Sequence, residues 1–129
     1  MNIAIICTAL LALLVFGLGL AVSLTRNSTE TVIGYKDDPA DSLYKMVRAH
    51  ANACEYVPTL AVLILLVAAR DPAPWVVWTI IAATVLRYVH AAGMILSPTL
   101  AKPHPLRFVG ALGTYVAGFL LIAAVVRSL

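Results

Sequence analysis

The sequence predicts an all-α integral membrane protein, a four-helix bundle with no room for a second domain. Hydrophobic residues make up 62% of the 129 and charged residues 12%, and the mean hydropathy of +0.96 lies outside the range of ordinary soluble domains. Four apolar stretches, residues 3–24, 42–69, 75–96 and 106–126, can each cross a hydrocarbon core, which takes about 20 residues of helix. Polar segments containing glycine or proline separate them, and no internal repeat is visible beyond two hairpins.

Residues 3–24 carry no charge. The start, Met1-Asn2, lacks a basic side chain and the run is long for a signal-peptide core, so the stretch reads as a true span despite the cleavage-like Ala21-Val22-Ser23. Gly17 and Gly19 permit close approach of another helix, and Arg26 closes the span. Residues 27–41 form a polar surface loop that ends at Asp41 or Ser42, either of which suits a helix N-cap.

The second stretch would be about 42 Å long as a helix, more than the core is thick. Lys45 and Arg48 therefore belong among headgroups and Glu55 deeper. Pro58 removes a backbone hydrogen bond and predicts a kink beside Glu55. Residues 70–74 make a tight connector, after which Trp75 and Trp78 anchor the third span at the interface. That span carries Arg87 and His90 one turn apart and stops at Ser97-Pro98. The fourth opens with Arg107, and its Gly110, Thr114 and Ala117 form a close-packing face.

Several classes drop out. A net charge of +3, with basic residues at segment ends, offers no nucleic-acid surface. Cys7 and Cys54 belong to no metal-ligand pattern and fall at different depths, beyond disulfide reach, so both read as buried free thiols.

At helical spacing Arg48, Asn52 and Glu55 share one stripe. A carboxylate in a bilayer costs roughly 2.5–3.5 kcal/mol by insertion scales, so Glu55 needs a partner. Two readings stand: a structural ion pair, with Arg87 on the next helix as the candidate, or a ligand site. Antiparallel threading brings Arg26, Arg48, His50, Asn52, Glu55, Arg87, His90 and Arg107 into one leaflet, a segregation that scattered ion pairs would not produce. Loops on that side hold Lys36, Lys45 and Lys102, while the opposite side has Arg70 and Arg127, which predicts a cytoplasmic polar face and both termini outside. Cations outnumber the one buried anion. The expected ligand is a small zwitterion with extra negative charge, joined by an apolar partner arriving from the lipid.

The run Arg48-x-His50-x-Asn52-x-x-Glu55, followed by Tyr56 and Pro58, resembles the signature of the membrane-associated proteins in eicosanoid and glutathione metabolism (MAPEG). Arg87-x-x-His90 and Arg107-x-x-Gly110 agree with it in order and spacing, and the short loops resemble bacterial members. The resemblance implies a homotrimer with glutathione bound between subunits near the cytoplasmic face of a bacterial inner membrane. It implies that Arg48, Asn52 and Glu55 hold the peptide, with Glu55 nearest the glutamyl ammonium. His90 would line the pocket, Arg26 would reach it from the first helix, and Arg107 would be the catalytic residue that stabilises the thiolate.

A thiol of pKa about 8.5 is about 3% ionised at pH 7, and lowering that pKa two units takes about 2.7 kcal/mol. A guanidinium about 4 Å away supplies about 4 kcal/mol at an effective dielectric of 20. One arginine suffices. The implied activity is glutathione transfer to hydrophobic electrophiles, or reduction of lipid hydroperoxides. Met94 and Phe108 stand where the prostaglandin synthase branch has a tyrosine and a small hydroxyl residue, so prostaglandin isomerisation is not expected. The alternative is a non-catalytic module of the same fold that binds lipid or a membrane partner.

Overall fold

A computed structural model describes residues 2–128, which fold into four helices: α1 (Asn2–Ser28), α2 (Ser42–Ala68), α3 (Pro74–Leu96) and α4 (Pro105–Arg127). All four are long and apolar enough to cross a membrane. Helix α1 runs four residues past the sequence-based end at 24. Polar side chains do not stop it there, because Thr25 and Ser28 donate back to the Ala21 and Thr25 carbonyls at 2.8 and 2.9 Å. It ends where Glu30 adopts a left-handed φ of 52° and Thr31 N–H returns to the Arg26 carbonyl at 3.0 Å, a Schellman-type cap. At the start of α2, the Asp41 carboxylate accepts from Tyr44 N–H at 3.0 Å. Helix α2 continues unbroken through Pro58. Pro74 and Pro105 open α3 and α4 at the first helical turn, where a missing N–H costs nothing.

Buried residues on α1 (Ala4, Cys7, Leu11, Leu14, Leu18) recur in steps of three and four. The same rhythm on α2 (Ala53, Val57, Leu60, Ile64, Val67) gives two seams that mesh along the bundle, and α1 packs chiefly on α2. The other extensive pair is α3 with α4. Here the backbones nearly touch: a Cβ added to Gly110 would sit 2.6 Å from His90 backbone atoms, and one on Gly93 would sit 2.7 Å from Arg107 N. The small-residue face of α4 is thus consumed inside the chain, with Gly110, Thr114 and Ala117 all buried. It offers nothing to a neighbouring subunit.

The ends of the helices are tied in the order that antiparallel threading requires. Lys45 Nζ at the start of α2 donates to the Ser97 carbonyl just after α3 at 3.0 Å, and Leu100 N–H reaches the Pro39 carbonyl at 2.9 Å. At the opposite end Arg70 Nη1 donates to the Ser128 carbonyl at 2.5 Å. Of the two cysteines only Cys7 is buried; Cys54 is exposed on α2, contrary to the sequence expectation, because the α2 seam passes through Ala53 and Val57 beside it.

Gly110→Ala tests the α3–α4 contact. With backbone rather than a flexible side chain in the way, the helices must separate, at a cost of about 3 kcal/mol, the upper part of the usual overpacking range. Gly118→Ala, where an added Cβ meets nothing within 4 Å, is the matched control and is expected to be neutral or slightly stabilising. Unfolding by detergent titration reads both.

Candidate functional site

Arg87 on α3 is the largest fully buried side chain among the described residues, 1% exposed. Its Nη2 donates to Asn52 Oδ1 on α2 and its Nη1 reaches Thr114 Oγ1 on α4 at 3.4 Å, so one guanidinium joins three helices. The guanidinium carbon lies 5.0 Å from the centroid of the Tyr56 ring, within cation–π range. Thr114 in turn donates to the Gly110 carbonyl at 2.6 Å. The hydrogen bonds of Arg87 therefore go to neutral oxygens and not to Glu55, as an ion pair would require. The reason is rotational: Asn52 faces the bundle, whereas Glu55, three residues on, is carried to the exposed side of α2.

One turn beyond Arg87, His90 donates from Nδ1 to the Arg107 carbonyl at 3.0 Å, which leaves Nε2 free. Asn52, Tyr56, Arg87, His90, Ala111 and Tyr115 enclose a small chamber of about 70 Å³. The hydroxyls of Tyr56 and Tyr115 meet at 2.9 Å, with ring centroids 5.8 Å apart. These two rings also line a larger, mainly apolar groove of about 280 Å³ between α2 and α4, shared with Glu55. Tyr115 is the functional candidate that sequence reasoning misses. The available signal is a tyrosine in mid-span, away from the interfacial belt, whose hydroxyl must find a partner in hydrocarbon.

The remaining sequence-predicted side chains make no hydrogen bond to this guanidinium. Arg48 and Glu55 are exposed on α2. Arg107 is half-buried and donates from Nη1 to the Leu100 and Lys102 carbonyls at 3.1 and 3.0 Å, pinning the α3–α4 connector. Arg26 donates to the Gly34 carbonyl at 2.7 Å and so closes the loop after α1 instead of joining Asn52 and Arg87. His50 packs against Gly19 of α1 and lies 3.4 Å from Cys54 Sγ. Among the described residues no group of three His, Cys, Asp or Glu side chains converges as a metal site would require.

Four membrane-spanning helices, a buried guanidinium binding three of them together and cations gathered toward one end define a small polytopic membrane protein with a polar site in one half of its bundle. The chain belongs to the MAPEG family, whose family model matches residues 4–127. It is therefore a multi-pass integral membrane protein of a family engaged in glutathione-related chemistry. No curated protein matches the chain.

Proposed function

We propose that the protein is a membrane-bound glutathione transferase or peroxidase that acts on hydrophobic electrophiles or lipid hydroperoxides, with Arg107 stabilising the thiolate. The observation that carries this reading is the open stripe on α2: Arg48 and Glu55 remain exposed on a helix that spans lipid, beside an Asn52 that faces inward. Unfilled charges of opposite sign two turns apart suit a zwitterionic peptide, with the carboxylate on Arg48, the glutamyl ammonium on Glu55 and further polar groups near Asn52 and His90. Arg107, held by two loop carbonyls through Nη1, keeps its other nitrogens for the sulfur. Arg26 contributes from a neighbouring copy, in a homotrimer whose three sites lie at the cytoplasmic side of a bacterial inner membrane with both termini outside.

Purified protein with glutathione and either a chlorinated aromatic or a lipid hydroperoxide is expected to turn over above a detergent blank. Turnover no faster than the blank across several substrates would overturn the reading. Glu55→Gln is expected to weaken glutathione affinity about tenfold while turnover at saturation stays near wild type, because the ammonium is gripped equally before and during reaction. Native mass spectrometry in lipid is expected to report a trimer; a monomer would remove Arg26 from the site.

A second reading is favoured by Met94 and Phe108 and by the loop contacts of Arg107: a non-catalytic module of the same fold that binds lipid or a membrane partner in the same place. Any glutathione bound to such a module would keep its thiol protonated.

A further inference from the structure

The two phenols Tyr56 and Tyr115 stand where a polar chamber and an apolar groove meet, since both rings line both spaces. Helices α2 and α4 run in the same direction, so chain order fixes the polarity of the groove. Glu55, Tyr56, Thr114 and Tyr115 form its end nearer the cation-rich face, and Leu63 and Ile122 lie about 10 Å further into the membrane. Such a space fits an amphiphile with an oxygen function against the hydroxyls and an alkyl tail beyond them. Glu55 belongs to this groove as well as to the α2 stripe, so glutathione held there would lie at the oxygen end.

The hydroxyl pair holds two protons and spends one on its internal bond at 2.9 Å, with either oxygen able to be the donor. The other proton is available to a ligand. We infer that Tyr56 and Tyr115 are the acid pair for reducing an alkyl hydroperoxide seated in the α2–α4 groove. This rests on the glutathione reading given above. In the step, the thiolate attacks the terminal peroxide oxygen, the O–O bond breaks, and glutathione sulfenic acid and an alkoxide form. Tyr115 gives its proton to the alkoxide, Tyr56 passes its own to Tyr115, and the proton released when the first glutathione ionised restores the pair. A second glutathione thiol reduces the sulfenic acid to the disulfide and water.

Two glutathione reactions separate this role from a structural one. Reduction of a long-chain fatty-acid hydroperoxide needs a proton on its leaving oxygen, whereas conjugation of a chloronitrobenzene expels chloride and needs none. In Tyr115→Phe the ratio of peroxide to aromatic turnover is expected to fall about a hundredfold, at the lower end of what a general acid contributes. In the wild type, deuterium oxide is expected to lower the same ratio, a measurement that needs no variant. Gly118→Leu places a side chain where an added Cβ meets nothing within 4 Å, and is expected to raise KM for the long-chain hydroperoxide but not for tert-butyl hydroperoxide.

An unchanged ratio, either in Tyr115→Phe or in the wild type in deuterium oxide, overturns the acid role. Equal KM values for the long-chain substrate in Gly118→Leu and wild type overturn the groove assignment, as does loss of the oligomer in that variant, which would give the groove to a second copy. A wild type that conjugates but does not reduce peroxides overturns this inference alone. A wild type that does neither overturns the glutathione reading beneath it.

Discussion

Arg107→Ala is expected to slow turnover at saturating glutathione about a hundredfold while weakening glutathione binding far less. The asymmetry follows from when the interaction is strongest. A protonated thiol gains little from a guanidinium, and a fully formed thiolate gains several kcal/mol at low effective dielectric, so the loss falls mainly on the barrier. A hundredfold corresponds to about 2.7 kcal/mol. Because Arg107 Nη1 also holds the Leu100 and Lys102 carbonyls, the variant will loosen the α3–α4 connector. Arg107→Lys keeps a charge but cannot bridge two carbonyls and face the sulfur at once, and is expected to fall between wild type and alanine. Steady-state kinetics on protein of verified folding reads all three. Normal turnover in Arg107→Ala would leave Arg107 as a loop clamp only.

Arg87→Leu is expected to destabilise the bundle by about 4 kcal/mol without acting directly on the chemistry. The guanidinium is 1% exposed and its removal leaves the Asn52 and Thr114 oxygens short of a donor inside the membrane, each worth about 1–3 kcal/mol. The physically informative variant is the pair. Asn52→Leu alone strands a buried guanidinium and is expected to cost as much or more, whereas Arg87→Leu with Asn52→Leu removes donor and acceptor together and is expected to recover a large part of the loss. Detergent-titrated unfolding of the four proteins closes the cycle. Additive losses would show that the contact between Asn52 and Arg87 contributes nothing.

The four spans were legible because a bilayer forces each helix to satisfy its own backbone, which imposes long apolar runs with polar breaks. The gathering of Arg48, Asn52, Arg87, His90 and Arg107 in one half of the bundle followed from the same threading. Partner choice did not follow. Spacing along α2 places Asn52 and Glu55 on one broad stripe, but the rotation of α2, which buries Ala49, Ala53 and Val57, decides which of them meets Arg87. The close-packing face of α4 was legible too, and its partner was not: Gly110 meets His90 of its own chain. Tyr115 lies 59 residues from Tyr56, and nothing local to either announces the hydroxyl contact.

The measurement that bears most directly on the function is the ultraviolet difference spectrum of glutathione added to the purified protein at neutral pH. A thiolate absorption band is expected with wild type, scaled to the number of sites, and is expected to vanish in Arg107→Ala while glutathione still binds. Glutathione bound to wild type with its thiol protonated, or not bound at all, would contradict thiol activation at this site.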